Sequence, residues 1–327
     1  MDQRPYKTVR MRLLFEKGPA FYACFNFRLF FLLLFRKTDL LVSNDLDTLM
    51  PNYLVSKIKS IPLVYDSHEY FTEVPELVKR KGTQNIWKKI ERQIVPNLKT
   101  MITVNDSIAS LFEDKYGIRP TVIRNVSPKI NKTINQSRKS FGLPDDKYIL
   151  ILQGSGINID RGAEEMVDAM QYIDHAILLI VGGGDVICIL KKKVAELGLT
   201  EKVVFKPKQV YAQLIQLTRI ADLGLTLDKD TNINYRFSLP NKLFDYIQAG
   251  IPVLASPLPE IMKIISTYDI GDFIPSHDPK EIARKVNEIL ANQEVMLKWK
   301  KNVTFAASQL NWENEEQQLI KIYDQYV

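Results

Sequence analysis

The chain has 327 residues, with 44 Lys and Arg against 38 Asp and Glu, a net charge of +6 and an apolar fraction of 46%. That length is too great for one ordinary core and predicts two domains of soluble, globular composition. Cys24 and Cys188 lie far apart in apolar surroundings and His68, His175 and His277 are scattered, which excludes a disulfide framework, argues against a zinc enzyme and leaves no metal ligands to nominate. The cytoplasm, a reducing compartment, is the expected location. The positive charge comes with no basic stripe interleaved with aromatics, so nucleic acid is set aside as a partner and an anionic small substrate is preferred.

The opening MDQRPYKTVRMRLLF is polar and basic and does not read as a signal peptide. The strongest apolar run, Phe25 to Phe35, is broken by Arg28 and is shorter than the roughly 20 residues of a bilayer span. It reads as a helix packed inside the first domain. Arg4, Lys7, Arg10, Arg12, Lys17, Arg28, Arg36 and Lys37 surround it, against Asp2 and Glu16, which offers an alternative: a segment resting on an anionic membrane, peripheral at its inner face.

Short β-rich runs then alternate with amphipathic stretches. Strands are predicted at 39–43, 61–65, 100–104 and 121–124. Helices are predicted at 48–59 and 86–94, with another opening at Asp106 or Ser107 and closed by Gly117. The polar segment Ser127 to Ser140 has the composition of an interdomain linker. The second half repeats the alternation, with strands at 148–152, 177–181, 203–205, 222–227 and 253–255. Its helices fall at 163–170, 186–197, 212–220 and 241–249, and a last amphipathic helix covers Leu310 to Tyr326. Strands apolar throughout and separated by helices indicate parallel sheets covered on both faces. The predicted architecture is α/β, with two doubly wound, Rossmann-like domains facing a cleft, and such sheets bind ligands at the carboxyl ends of their strands.

The strongest chemistry follows the strand at 222–227. A long polar loop leads to Pro240, which introduces a helix whose first amides lack intrahelical partners and whose dipole favours an anion. Asn241 follows, and Lys242 in the first turn can add a full charge to a bound phosphate. Asp245 shares a face with Lys242. A carboxylate there would repel the anion unless it served another group, and ribose hydroxyls suit it, since a carboxylate accepts two hydrogen bonds from a vicinal diol. The plainer alternative is a surface Lys–Asp pair worth a few tenths of a kcal/mol.

In Leu239-Pro-Asn-Lys-Leu-Phe-Asp-Tyr-Ile-Gln-Ala-Gly-Ile-Pro-Val253 the sequence resembles the retaining glycosyltransferases of family 4, also called glycosyltransferase group 1. Members carry Ala-x-Gly-x-Pro-Val after a donor-site helix, and many read Pro-Asn-Lys-Leu-Phe-acid-Tyr before the glycine. The resemblance spans residues 38–327. It implies a GT-B fold, with residues 1–135 as an acceptor-side domain and 136–310 as the nucleotide-sugar domain. Residues 311–327 would form a helix returning toward the first domain. It also implies metal-independent transfer, with no cofactor, from a nucleotide-diphosphate-sugar donor to a glycan or lipid-linked acceptor, with retention at the anomeric carbon. By position, Lys242 would contact the diphosphate and Asp245 the ribose. The acid that contacts the donor sugar in the family would fall at Phe237, where this chain has none.

Gln153-Gly154-Ser155-Gly156 follows a strand and precedes Asp160-Arg161-Gly162. The third glycine is misplaced for a dinucleotide fingerprint, but small residues let backbone approach a ligand and Arg161 can clamp a phosphate. The family has a basic residue before glycine here, which implies that Arg161 joins Lys242 on the diphosphate. Gly182-Gly183-Gly184 reads as close helix–strand packing, with Asp185 capping the next helix. In the first half, Tyr65-Asp-Ser-His-Glu69 follows a strand's carboxyl end. His68 lies there beside carboxylates and is assigned to the active site, to orient acceptor or donor sugar; Asn44 and Asp45 end the preceding strand and join it. Family members start with a strand, a glycine-containing loop and further βα units that this chain lacks, so its N-terminal domain is expected to be incomplete. Three functions follow: an active transferase building a surface polysaccharide or glycolipid; a truncated, catalytically weak nucleotide-binding relative acting as an interaction or regulatory protein; and, ranked below these, a nucleotide-sugar epimerase.

Overall fold

The structure, a computed structural model, describes residues 6–130 and 136–326. It divides into two compact units, Met1–Ile123 with Tyr323–Val327, and Arg124–Ile322. In the first unit the elements run α1 (Gly18–Leu34), β1 (Leu41–Asn44), α2 (Leu46–Lys59), β2 (Leu63–Ser67), α3 (Pro75–Val78), α4 (Lys81–Ile94), β3 (Thr100–Thr103), α5 (Asp106–Tyr116) and β4 (Thr121–Val122). The four strands form a parallel sheet in the order β1-β2-β3-β4. Leu63, Val64 and Tyr65 of β2 are all buried, as a strand covered on both faces requires. The cap of α5 is Asn105, one residue ahead of the expected start. Its side chain accepts from the Ile108 amide at 2.9 Å, and Gly117 closes the helix in the left-handed region as expected.

The apolar run is not packed inside this unit. It forms α1, which rests on α2 and meets Trp87 of α4 through Tyr22, yet none of its residues is buried. Phe27 and Phe35 are 66% and 81% exposed. A helix apolar on every side needs cover on every side, and neighbours on one side leave the rest open. Among the described residues no helix is long and apolar enough to cross a membrane.

The second unit runs β5 (Tyr148–Gly154), α6 (Ala163–Ala169), β6 (Ala176–Gly182), α7 (Ile187–Glu196), β7 (Val203–Lys206), α8 (Tyr211–Arg219), β8 (Leu223–Thr226), α9 (Ile233–Arg236) and α10 (Asn241–Ala249). It continues with β9 (Val253–Ala255), α11 (Pro259–Tyr268), β10 (Gly271–Phe273), α12 (Pro279–Ala291), α13 (Gln293–Gln309) and α14 (Trp312–Tyr323). All six strands are parallel, in the order β10-β9-β8-β5-β6-β7. Leu150, Leu152, Leu178 and Ile180 pack into the core beneath α6, α7 and α12. Ile149, Ile151, Ile177 and Leu179 face the opposite core, under α8, α10 and α13. Strand order reverses between β5 and β8, the switch point at which doubly wound sheets hold ligands.

One contact sets α10 over that point. The Tyr246 ring lies on Gly224 of β8, where an added Cβ would come within 2.4 Å of the ring. The Tyr246 hydroxyl is 3.2 Å from the Ile151 carbonyl and 3.0 Å from that of Leu225, so it spans both strands at the switch.

The units divide at Ile123/Arg124, ahead of the expected 135/136, because the start of the polar segment belongs to the second unit. Val126 is in its core, the Ser127 hydroxyl donates to Asp245 at 2.6 Å, and Arg138 bridges Asp222 at 2.7 Å. Residues 131–135 of the expected linker lie outside the described residues. Likewise α14 groups with the second unit up to Ile322, since Glu315 accepts from the Arg124 amide and Glu313 from that of Lys129, both at 3.0 Å.

Candidate functional site

Two loops are clasped together at the ends of β5 and β6. The Gly183 amide donates to the Gly154 carbonyl at 3.1 Å, and the Ile157 amide to the Gly183 carbonyl at 2.8 Å. Gly182 (φ +132°) and Gly184 (φ +155°) sit so close that an added Cβ would come within 1.8 Å of the Gly154 oxygen or 2.2 Å of the Ile157 oxygen. The glycine run therefore fits loop against loop, which replaces the expected helix–strand packing. Nor does Asp185 cap α7: that helix has no side-chain cap, and the Asp185 amide instead donates to Asn158 at 3.0 Å.

Arg161 is held between two residues of positive φ, Asp160 (+67°) and Gly162 (+73°). Gly162 lies against Leu227, where a Cβ would meet the carbonyl oxygen at 2.3 Å. The Lys229 amide donates to the Asp160 carbonyl at 2.9 Å. This clamp delivers the guanidinium to Asp228, with Nη1–Oδ1 at 3.0 Å, and over the Tyr235 ring at 4.3 Å.

Pro240 is extended (φ −74°, ψ 139°) and stands as the cap of α10, whose first residue is Asn241. Lys242 Nζ reaches Asp228 Oδ2 at 3.3 Å, with the lysine side chain only 12% exposed. Asp228 is fully buried. Burial opposes its charged form, but Lys242 and Arg161 together hold its carboxyl below the usual range. Burial presses the Lys242 ammonium below the ordinary lysine range; Asp228 opposes this and Arg161 adds to it.

Asp245 has other partners than Lys242. Its Oδ1 accepts from Ser127 at 2.6 Å and its Oδ2 from Gln153 Nε2 at 2.9 Å, while the Thr218 hydroxyl fixes Gln153 Oε1 at 2.7 Å. Burial raises its pKa, and the bonds from Ser127, Gln153 and Tyr211 offset part of the rise. The surface Lys–Asp pair considered as an alternative is therefore not formed.

A cleft of about 400 Å³ brings together all eight residues assigned to the donor: Gly154, Ser155, Gly156, Arg161, Pro240, Asn241, Lys242 and Asp245. Lys208, Gln209 and Leu214 complete another wall. Sequence reasoning missed these, and it missed Asp228, Tyr235 and Ser127. For Asp228 a signal existed, its place just past the carboxyl end of β8. His277 Nε2 lies 3.0 Å from the Leu227 carbonyl and 3.1 Å from the Ser256 hydroxyl. Among the described residues no group of three or more His, Cys, Asp or Glu is placed to hold a metal ion.

In the first unit, the ends of β1 and β2 bring Asp45 and His68 together. Asp45 takes a positive φ of 58°, its amide donating to the Asp66 carbonyl at 2.8 Å and its Oδ1 accepting from the His68 amide at 2.9 Å. The imidazole lies between carboxylates, Nε2 at 3.3 Å from Asp66 and Nδ1 at 3.6 Å from Asp45. Asn44 is exposed beside them, and its carbonyl accepts from Thr48 at 2.8 Å. The hydrogen bond to Asp66 raises the His68 pKa against the opposing effect of burial, with the Asp66, Asp45 and Glu69 charges adding to the rise. A raised histidine pKa stabilises the fold fully below the unfolded value, and that contribution is lost as pH rises through the folded value. With His68 half exposed, the contribution to stability is small. An NMR titration should find His68 above its ordinary range and moved down in Asp66→Asn; equal midpoints would remove Asp66 as the cause.

Residues 133–304 match the family model described as glycosyl transferases group 1, and residues 2–128 that described as Glycosyltransferase Family 4. An uncharacterized glycosyltransferase of Methanocaldococcus jannaschii is 25% identical over 234 residues, covering 68% of this chain and 57% of that protein. A D-inositol 3-phosphate glycosyltransferase of Thermomonospora curvata is 21% identical over 267 residues, 71% of this chain and 58% of that one. The chain thus spans a little over half the length of these relatives. Among solved structures, Anabaena HepE in complex with UDP has a TM-score of 0.73 at 18% identity, covering 93% of this chain and 82% of its own. The sucrose-phosphate synthase of Thermosynechococcus elongatus has a TM-score of 0.75 at 20% identity, covering 94% and 77%. At such identity the likeness is one of fold. The group 1 match alone covers more than half of the sequence, and the chain, with its two parallel α/β units, belongs to the group 1, or family 4, glycosyltransferases of GT-B fold.

Proposed function

We propose that this chain transfers a sugar from a nucleotide-diphosphate-sugar donor to a glycan or lipid-linked acceptor, with retention and without a metal, in the building of a cytoplasmically assembled surface polysaccharide or glycolipid. The observation that carries this reading is the convergence of Arg161, Lys242 and the α10 N-terminus on one cleft at the switch point. Amides and dipole there favour an anion, and two fixed cations supply the charge that stabilises a departing diphosphate. Asp245, already accepting from Ser127 and Gln153, has lone pairs left for ribose hydroxyls. Bond cleavage builds positive charge at the anomeric carbon as the diphosphate leaves, and the acceptor hydroxyl attacks from the same face, its proton passing to the departing diphosphate oxygen. His68 and Asp45 orient acceptor or donor sugar. Anabaena HepE, crystallised with UDP-glucose, supports the choice of that nucleotide as first probe.

Phe237, where the family carries an acid, favours a second reading, a nucleotide-binding relative with weak transfer. Calorimetric titration with UDP-, GDP- and ADP-sugars, followed by donor-hydrolysis and transfer assays, separates the two. Binding with turnover is expected; binding without it selects the second reading, and no binding at all removes both. Lys242→Ala should weaken donor affinity by about 10- to 100-fold, the worth of a charged hydrogen bond to phosphate. Unchanged affinity would take Lys242 out of the site.

The proposal includes a peripheral contact of α1 with an anionic membrane. Arg10, Arg12, Arg28 and Arg36 line one cleft with Phe27, Phe31 and Phe35, which pairs apolar area with a charge worth about 1 kcal/mol per basic residue at such a surface. Sedimentation with phosphatidylglycerol vesicles should carry the chain down, and phosphatidylcholine vesicles or the double variant Phe27→Ser, Phe31→Ser should not. Equal sedimentation in all three would contradict the contact.

A further inference from the structure

We propose that Asp228 is a positioning residue for the donor site, a buried counter-ion that holds Arg161 and Lys242 side by side as cations before any anion arrives. This rests on the donor reading of the cleft. Asp228 does not line that cleft and is fully buried, so it acts through its neighbours. Both its oxygens are engaged: Oδ1 by Arg161 at 3.0 Å, and Oδ2 by Lys242 and by the Thr226 hydroxyl, each at 3.3 Å.

The backbone reinforces this arrangement. The residues on either side of Arg161 are fastened to those on either side of Asp228, Asp160 through the Lys229 amide and Gly162 through its close approach to Leu227. Tyr235 closes the far face of the guanidinium. Arg161 therefore has one carboxylate to meet, and it is the one that Lys242 also meets.

The cations need it because they face each other. The charged groups against Lys242 are Arg161 from the loop before α6 and Asp228 from just past β8, with the Thr226 hydroxyl on the same Asp228 oxygen and Asp245 one turn along α10, lining the same cleft. Asp245 is engaged by Ser127 and Gln153, and Lys229 beside Asp228 is taken by Glu165 at 2.5 Å. Without Asp228, a nearly buried ammonium would face a guanidinium with no close anion, and it would shed its proton at lower pH. The site would then lose half its positive charge where pH is high and keep it where pH is low.

The test uses the full chain with its lysine side chains carbon-13 labelled, Lys242 being assigned by its absence in Lys242→Arg. In Asp228→Asn, Lys242 should titrate at least about one pH unit below wild type, and Asp228→Glu should return it toward wild type. UDP-glucose is the ligand probe, since its diphosphate is a diester whose charge is constant over the range. Its affinity for Asp228→Asn should lie within about threefold of wild type near pH 6 and fall about tenfold near pH 9. An unmoved Lys242 titration would overturn the proposal. So would the same loss of affinity at both pH values, because an ion pair that only stabilises the fold shifts the lysine titration without making donor affinity depend on pH. If Asp228→Asn does not fold, Arg161→Gln tests the same coupling: removing the second cation should raise the Lys242 midpoint, and no change would refute it. A wild-type chain that binds no sugar nucleotide would remove the donor reading alone, since the lysine titration needs no ligand.

Discussion

Two cations drawn onto one buried carboxylate are costly to assemble, because each charge gives up water and only close, well-directed contacts offset that loss. Much of the second unit serves that assembly. Positive φ at Asp160 and Gly162 turns Arg161 inward, and the extended Pro240 starts α10 where Lys242 can reach the same carboxylate. Tyr246 then fixes that helix by lying on Gly224 and spanning the carbonyls of β5 and β8. The net positive charge left over faces the cleft, at the sheet edge where strand order reverses. An anion that enters meets groups already in place and has little side-chain ordering left to impose.

Beside this ion-paired centre runs a network of hydrogen bonds around a second carboxylate. Ser127, Asp245, Gln153 and Thr218 form a chain of hydrogen bonds in which each polar group has its partner. It ties the segment entering the unit to α10, β5 and α8, which is why that segment cannot act as a free linker. The burial of Asp245 is tolerated on the same ground, since a satisfied buried carboxylate avoids the larger penalty of an unpaired one.

What was legible in the sequence follows from the range of the interactions. α10 was readable to the residue, Asn241 to Ala249, because a proline before it and a glycine after it mark its ends locally. The eight donor-side residues meet in one cleft because they belong to the end of β5, the loop after it and the start of the helix that follows β8, and topology gathers those strand ends. Asp228 was hidden. Read alone, a carboxylate beside a phosphate site is repulsive, and the arginine that makes it useful lies 67 residues away. The glycines at 182–184 suggest helix packing by their spacing, but their neighbour is another loop, a contact no local pattern encodes. The run at Phe25 to Phe35 declared a helix but not its cover, and α1 stays largely open because its apolar residues face all directions. At His68 the adjacent carboxylate was visible in the sequence as Asp66, while Asp45 arrives only through pairing of β1 with β2.

We propose that a donor's diphosphate sits where Arg161 and Lys242 converge on the start of α10. Crystals of the chain grown with a sugar nucleotide test it most directly. Diphosphate density is expected within hydrogen-bond reach of both side chains, with the ribose toward Asp245. Density with the diphosphate elsewhere on the chain, and Arg161 and Lys242 still closed on Asp228 alone, would contradict it.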